Sequence, residues 1–138
     1  MSNIIHISEK FSIALHSLVV IANQDNKLIN VKEIAKITNS SPSHLSKVMQ
    51  QLVKSNFLES IRGPKGGFRL IKSPTEINFL DIYEAVEGPI IIPTSCPSYN
   101  TVCPFKSCVF GGMPQKLGQE FINYLKEQKL KDFLVSID

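Results

Sequence analysis

The sequence predicts a mainly α-helical fold with one small β-hairpin, and three observations carry that expectation. Apolar residues recur at helical spacing in five segments that cover about half of the 138 residues. A pair of short strand-like runs flanks the glycine-rich turn Gly63-Pro64-Lys65-Gly66-Gly67. Between Pro89 and Pro114 periodicity lapses, and five prolines, Gly111, Gly112 and all three cysteines gather there. With 43% apolar residues the chain can build a core. At this length that core is small, and such chains gain stability from dimerisation or a bound metal.

The first helix is expected over Ser8–Asn23. Ser8 can accept from the free N–H groups of the first turn, and Phe11, Ala14, Leu15, Leu18, Val19 and Ala22 lie at helical spacing. Gln24–Asn30 is polar and loop-like. Val31–Thr38 predicts a short helix with Val31, Ile34, Ala35 and Ile37 as its apolar positions. Asn39-Ser40-Ser41 forms a turn. Pro42 suits the first helical position behind Ser41 as N-cap, because an N–H there would have no partner anyway. The helix it opens runs to about Ser55. Leu45, Val48, Met49 and Leu52 face inward, and Ser43, His44, Ser46, Lys47, Gln50, Gln51 and Lys54 form the other face.

Two short helices joined by a polar turn, the second lined with hydroxyl, amide and basic groups, have the outline of a helix-turn-helix, although any helical hairpin shares it. The next segment strengthens that outline. Phe57–Arg62 and Phe68–Ile71 read as strands of a hairpin with a cationic tip, and a hairpin directly after a helix-turn-helix is a wing. Arg62, Lys65 and Arg69 can reach phosphates or a minor groove, and Gly66 and Gly67 let the backbone approach closely. Ser73–Glu76 closes the wing. Phe79–Val86 is a further amphipathic helix, ended by Gly88-Pro89. The last segment, from about Gln115 to Ile137, is expected to be helical. Leu117, Phe121, Tyr124 and Leu125 form one stripe, and Leu130, Phe133 and Leu134 form another, so it needs a partner surface in the same domain or a second subunit.

Charge is unevenly spread. Pro42–Lys72 holds six basic residues against Glu59, a net +5, while the remainder holds nine basic and eleven acidic residues, a net −2. A single electropositive region is what a surface facing phosphate requires. Helix Pro42–Lys54 would then enter the major groove of double-stranded DNA. Ser43, His44, Ser46, Lys47 and Gln50 are placed to read bases or grip phosphates, since glutamine can pair with adenine and serine with more than one base edge. No stretch approaches the ~18 apolar residues of a membrane span, and Met1–Lys10 lacks the pattern of a secretory signal. A cytoplasmic protein without membrane association is the expectation. No phosphate cradle, paired-carboxylate motif or C-x-x-C is present, so an enzyme is not expected.

Cys96, Cys103 and Cys108 read as C-x6-C-x4-C. In a reducing compartment an odd number of clustered thiols points to a metal, a cluster or redox chemistry rather than to disulfides. A compact zinc knuckle uses closer pairs, whereas an iron–sulfur cluster is held by four ligands, mostly thiolates. Pro97 and Pro104, each directly after a cysteine, keep the loop out of helix. The missing fourth ligand could be His16, His6, a carboxylate such as Glu9, or a small molecule. Zinc, redox thiols and inert cysteines stay open on spacing alone.

The run Ser43-His44-Leu45-Ser46-Lys47-Val48-Met49-Gln50-Gln51-Leu52, then Phe57-Leu58, then Ile61-Arg62-Gly63-Pro64-Lys65-Gly66-Gly67-Phe68-Arg69-Leu70, resembles the IscR/NsrR/CymR (Rrf) family of bacterial winged-helix regulators. The R-G-P-x-G-G-x-x-L wing is its most specific part. Leu80-Asp81-Ile82-Tyr83-Glu84-Ala85-Val86-Glu87 and the cysteine trio also match, so the likeness covers nearly the whole chain. The resemblance implies a winged helix-turn-helix domain over 1–88, a cluster-binding cysteine loop over 89–112 and a C-terminal dimerisation helix over 113–138. It implies a homodimer on a palindromic operator. It also implies a 2Fe-2S or 4Fe-4S cluster on Cys96, Cys103 and Cys108 whose state reports iron, redox poise or nitric oxide. Some members take a fourth ligand from the first helix of the opposite subunit, where His16 is the candidate here. Others use a histidine three residues after the last cysteine, where this chain has Gly111. The spacing departs from C-x5-C-x5-C, and members without a cluster exist, which leaves zinc, redox thiols or a protein partner as the alternative signal.

Overall fold

A computed structural model describes residues 7–92 and 103–134. The chain runs α1 (Glu9–Ala22), α2 (Val31–Thr38), α3 (Pro42–Lys54), β1 (Leu58–Ile61), β2 (Gly67–Leu70), α4 (Phe79–Glu87), α5 (Met113–Glu127) and a closing 3-10 turn (Leu130–Phe133). These five helices and one hairpin are the predicted fold class.

Helix α1 is the centre of the core and packs on α2, α3, α4, β2 and the closing turn. The Ser8 hydroxyl caps it, accepting from Phe11 N–H at 3.1 Å, an interaction usually worth ~1 kcal/mol. Because neighbours surround it, Ile13, Val20 and Ile21 are buried along with the predicted Phe11, Ala14 and Leu18. A helix covered on several sides does not keep a single apolar stripe.

Helix α2 starts with a reciprocal capping box: Asn30 Oδ1 accepts from Glu33 N–H at 2.9 Å, and Glu33 Oε2 accepts from Asn30 N–H at 3.4 Å. Asn39, in the left-handed region at φ 54°, stops it. Ile34 and Ala35 are buried, but Ile37 is 50% exposed. In α3 the four residues expected inward, Leu45, Val48, Met49 and Leu52, are all buried. Ser41 occupies the N-cap position without capping through its side chain, and its hydroxyl instead meets Ser43 Oγ at 3.0 Å.

In the antiparallel hairpin, Leu58 pairs with Leu70, Glu59 with Arg69, Ser60 with Phe68 and Ile61 with Gly67. The Ile29 backbone pins it to the body, with Phe68 N–H donating to Ile29 O at 2.8 Å and Ile29 N–H to Phe68 O at 3.2 Å. This contact demands glycine nearby. A Cβ on Gly67 would lie 2.5 Å from Ile29 O, and one on Gly66 would lie 2.0 Å from Ile61 O.

The C-terminal segment corrects the expectation of a helix to Ile137. Helix α5 stops at Glu127, and Gln128 is extended at φ −81°, ψ 126°. The reason is tertiary. Gln128 O accepts the N–H of Phe79, which has no partner within α4, at 3.0 Å, and Leu130 N–H donates to Ile77 O at 2.9 Å. The turn buries Leu130 completely and stacks Phe133 on Phe79, ring centroids 5.4 Å apart. Tyr83 joins α1, α4 and α5 through edge contacts with Phe11 and Phe121, at 5.1 and 5.7 Å.

Candidate nucleic-acid interface and cysteine loop

On the outer face of α3, Ser43, Lys47 and Gln50 are exposed, and His44 and Ser46 are half-buried. Ser46 Oγ donates to Pro42 O at 2.9 Å, so its proton is committed to its own helix and its oxygen remains an acceptor. His44 Nδ1 lies 3.6 Å from Glu9 Oε1, so the first turn of α1 touches this face.

A groove between α3 and the hairpin is lined by Ser46, Gln50 and Lys54 on one side and Ser60, Arg62 and Phe68 on the other. Strand alternation explains the choice. Ser60 and Phe68 share one face of the hairpin, whereas Glu59 and Arg69 share the opposite face. Arg69 Nε is hydrogen-bonded to Glu59 Oε1 there. Arg62 thus joins the α3 side chains, Lys65 stands exposed at the tip, and Arg69 is set apart with its charge already matched. Gly66 and Gly67 have a steric role in the hairpin itself. Lys72, part of the basic region, lies over the Phe57 ring at 4.6 Å from its centroid.

Sequence reading did not single out Lys10, which the fold brings beside α3. A second groove, between α1 and α3, is lined by Lys10, His44, Lys47, Gln51 and Lys54, with Val48 and Gln50. No local pattern signals it, because α1 and α3 meet only in the folded chain.

Of the cysteines, Cys96 lies outside the described residues, and Cys103 and Cys108 are exposed and free. Backbone N–H groups of Gly112, Gly111 and Phe110 hold the Cys108 thiol below its ordinary pKa. Gly111 and Gly112 sit at φ 60° and 79°, a left-handed pair that glycine adopts without strain, and Gly111 N–H closes the turn on Cys108 O at 3.1 Å. The thiolate is the form that ligates metals and attacks electrophiles.

His16 is exposed on α1, with Nδ1 2.7 Å from Ser12 O. In the tautomer with its proton on Nδ1 the ring donates to that carbonyl, and Nε2 carries the lone pair that a further partner would use. Within one chain, and among the described residues, no three His, Cys, Asp or Glu side chains come together as a metal site. The same stretch of chain as the cysteines exposes apolar surface: Phe105, Val109, Met113, Leu117 and Tyr124 are 55%, 77%, 48%, 54% and 58% accessible. No helix of the described residues is long and apolar enough to cross a membrane.

Comparison with known proteins agrees with this architecture. The chain is 33% identical over 128 residues to the HTH-type transcriptional regulator NsrR of Halalkalibacterium halodurans, covering 91% of this chain and 87% of that one. The fold is similar to that of CymR of B. subtilis, with TM-score 0.79 and 24% identity over 98% of this chain and 100% of that one. It is also similar to that of T. potens IscR, with TM-score 0.75 and 22% identity over 94% and 86%. The family model Rrf2, described as an iron-dependent transcriptional regulator, matches residues 7–136. The chain therefore belongs to the Rrf2 family of transcriptional regulators.

Proposed function

We propose that this regulator binds a palindromic operator as a homodimer and senses iron, redox state or nitric oxide through an iron–sulfur cluster on Cys96, Cys103 and Cys108. Three units divide the work: residues 1–88 bind DNA, 89–112 carry the signal, and 113–138 join the subunits. Helix α3 lies in the major groove. Ser43, His44, Ser46, Lys47 and Gln50 meet base edges and flanking phosphates, while Arg62 and Lys65 take the adjacent backbone or minor groove. The observation that carries this reading is the α3–wing groove, where amide, hydroxyl and cationic groups share one concave surface.

The donor chemistry fits a cluster. Cys108 is held toward its ligand form by backbone N–H groups, and the tether of His16 to Ser12 O leaves a nitrogen free to serve as fourth ligand, from the same chain or from the partner. When bound, the group supplies a redox-active centre that iron supply and nitric oxide can alter. The chain's own residues supply a route from the loop to the reading head. At the end of α4, where the loop departs, Glu87 Oε1 accepts from Ser8 Oγ, and Val86 O accepts from Lys10 Nζ at 3.4 Å. Between those two residues Glu9 faces His44 of α3. A shift of the loop reaches α3 through this one helical turn, and a coupling of ~1–3 kcal/mol is the usual size of such effects.

A second reading, direct sensing by thiols, is favoured by the exposure and stabilised thiolate of Cys108. Anaerobic purification, visible absorption and analysis for iron, sulfide and zinc separate the two. Coloured protein with iron and sulfide in comparable amounts supports the cluster. Colourless protein, metal-free even after reconstitution with iron and sulfide, overturns the cluster and leaves the thiols or a protein partner. Zinc would make the loop a structural metal site.

A further inference from the structure

We infer that the first turn of α1 is a third DNA-contacting element. In it Lys10 holds the phosphodiester strand on the side of the major groove opposite the wing. This inference rests on the proposed DNA binding by α3 and the wing, and adds a residue and an element to it. An α-helix with its side chains is about 10–12 Å across, and the major groove is about 12 Å wide. A helix seated there lies close to both sugar–phosphate walls.

The wing serves one flank of α3, where Arg62 faces Ser46 and Gln50. Toward α1 a second groove, which shares Gln50 and Lys54 with the first, is lined by His44, Lys47 and Gln51 from α3 and by Lys10 from α1. His44, Lys47, Gln51 and Lys54 succeed one another at three- and four-residue steps, so they form one ridge of the helix. Lys10 comes from the facing helix and completes a concave strip with three ammonium groups. Glu9, 3.6 Å from His44 Nδ1, offsets part of that charge where it meets the ring.

The ammonium of Lys10 is already steered. It donates to Val86 O at 3.4 Å. An ammonium has three donors, so two remain for phosphate oxygens. A tethered lysine loses less freedom on binding than a free one. As a compact point charge it recognises the phosphate and not the base, so the ligand class is the backbone of duplex DNA of any sequence.

The test is a salt titration of the full-length protein on a random-sequence duplex, from about 50 to about 200 mM salt. The main variant is Lys10→Gln, which keeps a polar side chain but carries no charge and, being one bond shorter, gives up the 3.4 Å contact with Val86 O. The magnitude of the slope of log K against log salt should fall by about 0.9 for each head on the DNA, about 1.8 for a dimer that loses one phosphate contact per head. Lys10→Arg should restore it. An unchanged slope in Lys10→Gln overturns the inference, whether or not affinity or stability falls, because Lys10 then serves only to tie α1 to α4. Arg62→Ala and Lys65→Ala run beside it. If they lose slope and Lys10→Gln does not, only the α1 contact fails. If none of the three loses slope, the DNA reading fails and takes this inference with it.

Discussion

Arg69 meets Glu59 across the β1–β2 pair with both side chains about two-fifths exposed, at 42% and 39%. Such a pair contributes at most ~1 kcal/mol to stability, and it leaves little net charge for a phosphate. Arg62 faces the α3 groove instead. The two arginines should therefore separate in a salt titration. Arg62→Ala should lower the slope of log K by about 0.9 for each head on the DNA, while Arg69→Ala should leave the slope intact and shift only the denaturation midpoint. Equal slope losses would mean that the Glu59 pair opens on DNA. Cys108 offers a second residue-level measurement. Its folded pKa is lowered by the Gly112, Gly111 and Phe110 N–H groups, so its thiolate persists to lower pH in the native apo protein than in the unfolded chain. By linkage, the contribution of this group to stability is present above the unfolded pKa and is lost as pH falls through the folded one. Alkylation of Cys108 by iodoacetamide, followed by peptide mass spectrometry, should reach half its plateau rate at lower pH in native protein than in denaturant. Coincident profiles would show that the turn does not stabilise the thiolate.

At the scale of elements, helix starts were legible because caps act within a few residues of sequence. Ser8 caps α1, Pro42 opens α3, and the α3 core positions come from period alone. The wing was legible for a similar reason, since its strands and glycine turn are contiguous. Roles on the wing were less so. The Glu59–Arg69 pairing depends on register, which the run of glycines did not fix until Ile29 docked on Phe68. The end of α5 was not legible at all. Leu130, Phe133 and Leu134 fit an α-helix by spacing, and only the pairing of 128–130 with Ile77–Phe79 decides against it. That pairing gives a measurable asymmetry. Leu130 is fully buried and Leu134 is 45% exposed. Leu130→Ala should cost ~2–5 kcal/mol, and Leu134→Ala should stay within about 0.5 kcal/mol. Urea denaturation of both variants checks this. A small loss at Leu130 would mean that the closing turn is not part of the cooperative unit.

At the scale of the whole molecule, the proposed homodimer needs a joint between its two reading heads. Helix α5 has the surface for one. Met113, Leu117 and Tyr124 lie at four- and seven-residue steps on one face and are exposed, while Leu125 on another face is buried against the domain. In an isolated chain, Leu117→Glu changes only a solvent-facing position, so folding should be nearly unaffected. In a dimer joined through this face the same change would bury a carboxylate without a partner, which costs several kcal/mol. Sedimentation equilibrium should therefore find wild type dimeric and Leu117→Glu monomeric, with circular dichroism and the unfolding midpoint of the isolated domain preserved. DNA binding discriminates further. Half-sites about 34–36 Å apart, one helical turn, reward a linked pair of heads through effective concentration. The monomeric variant should lose most of its affinity for a two-site operator and little for a single half-site. A Leu117→Glu protein that stays dimeric would move the joint off this face of α5. A monomer that still bound the full operator as tightly as wild type would remove the need for a joint, since each head would then hold its half-site alone.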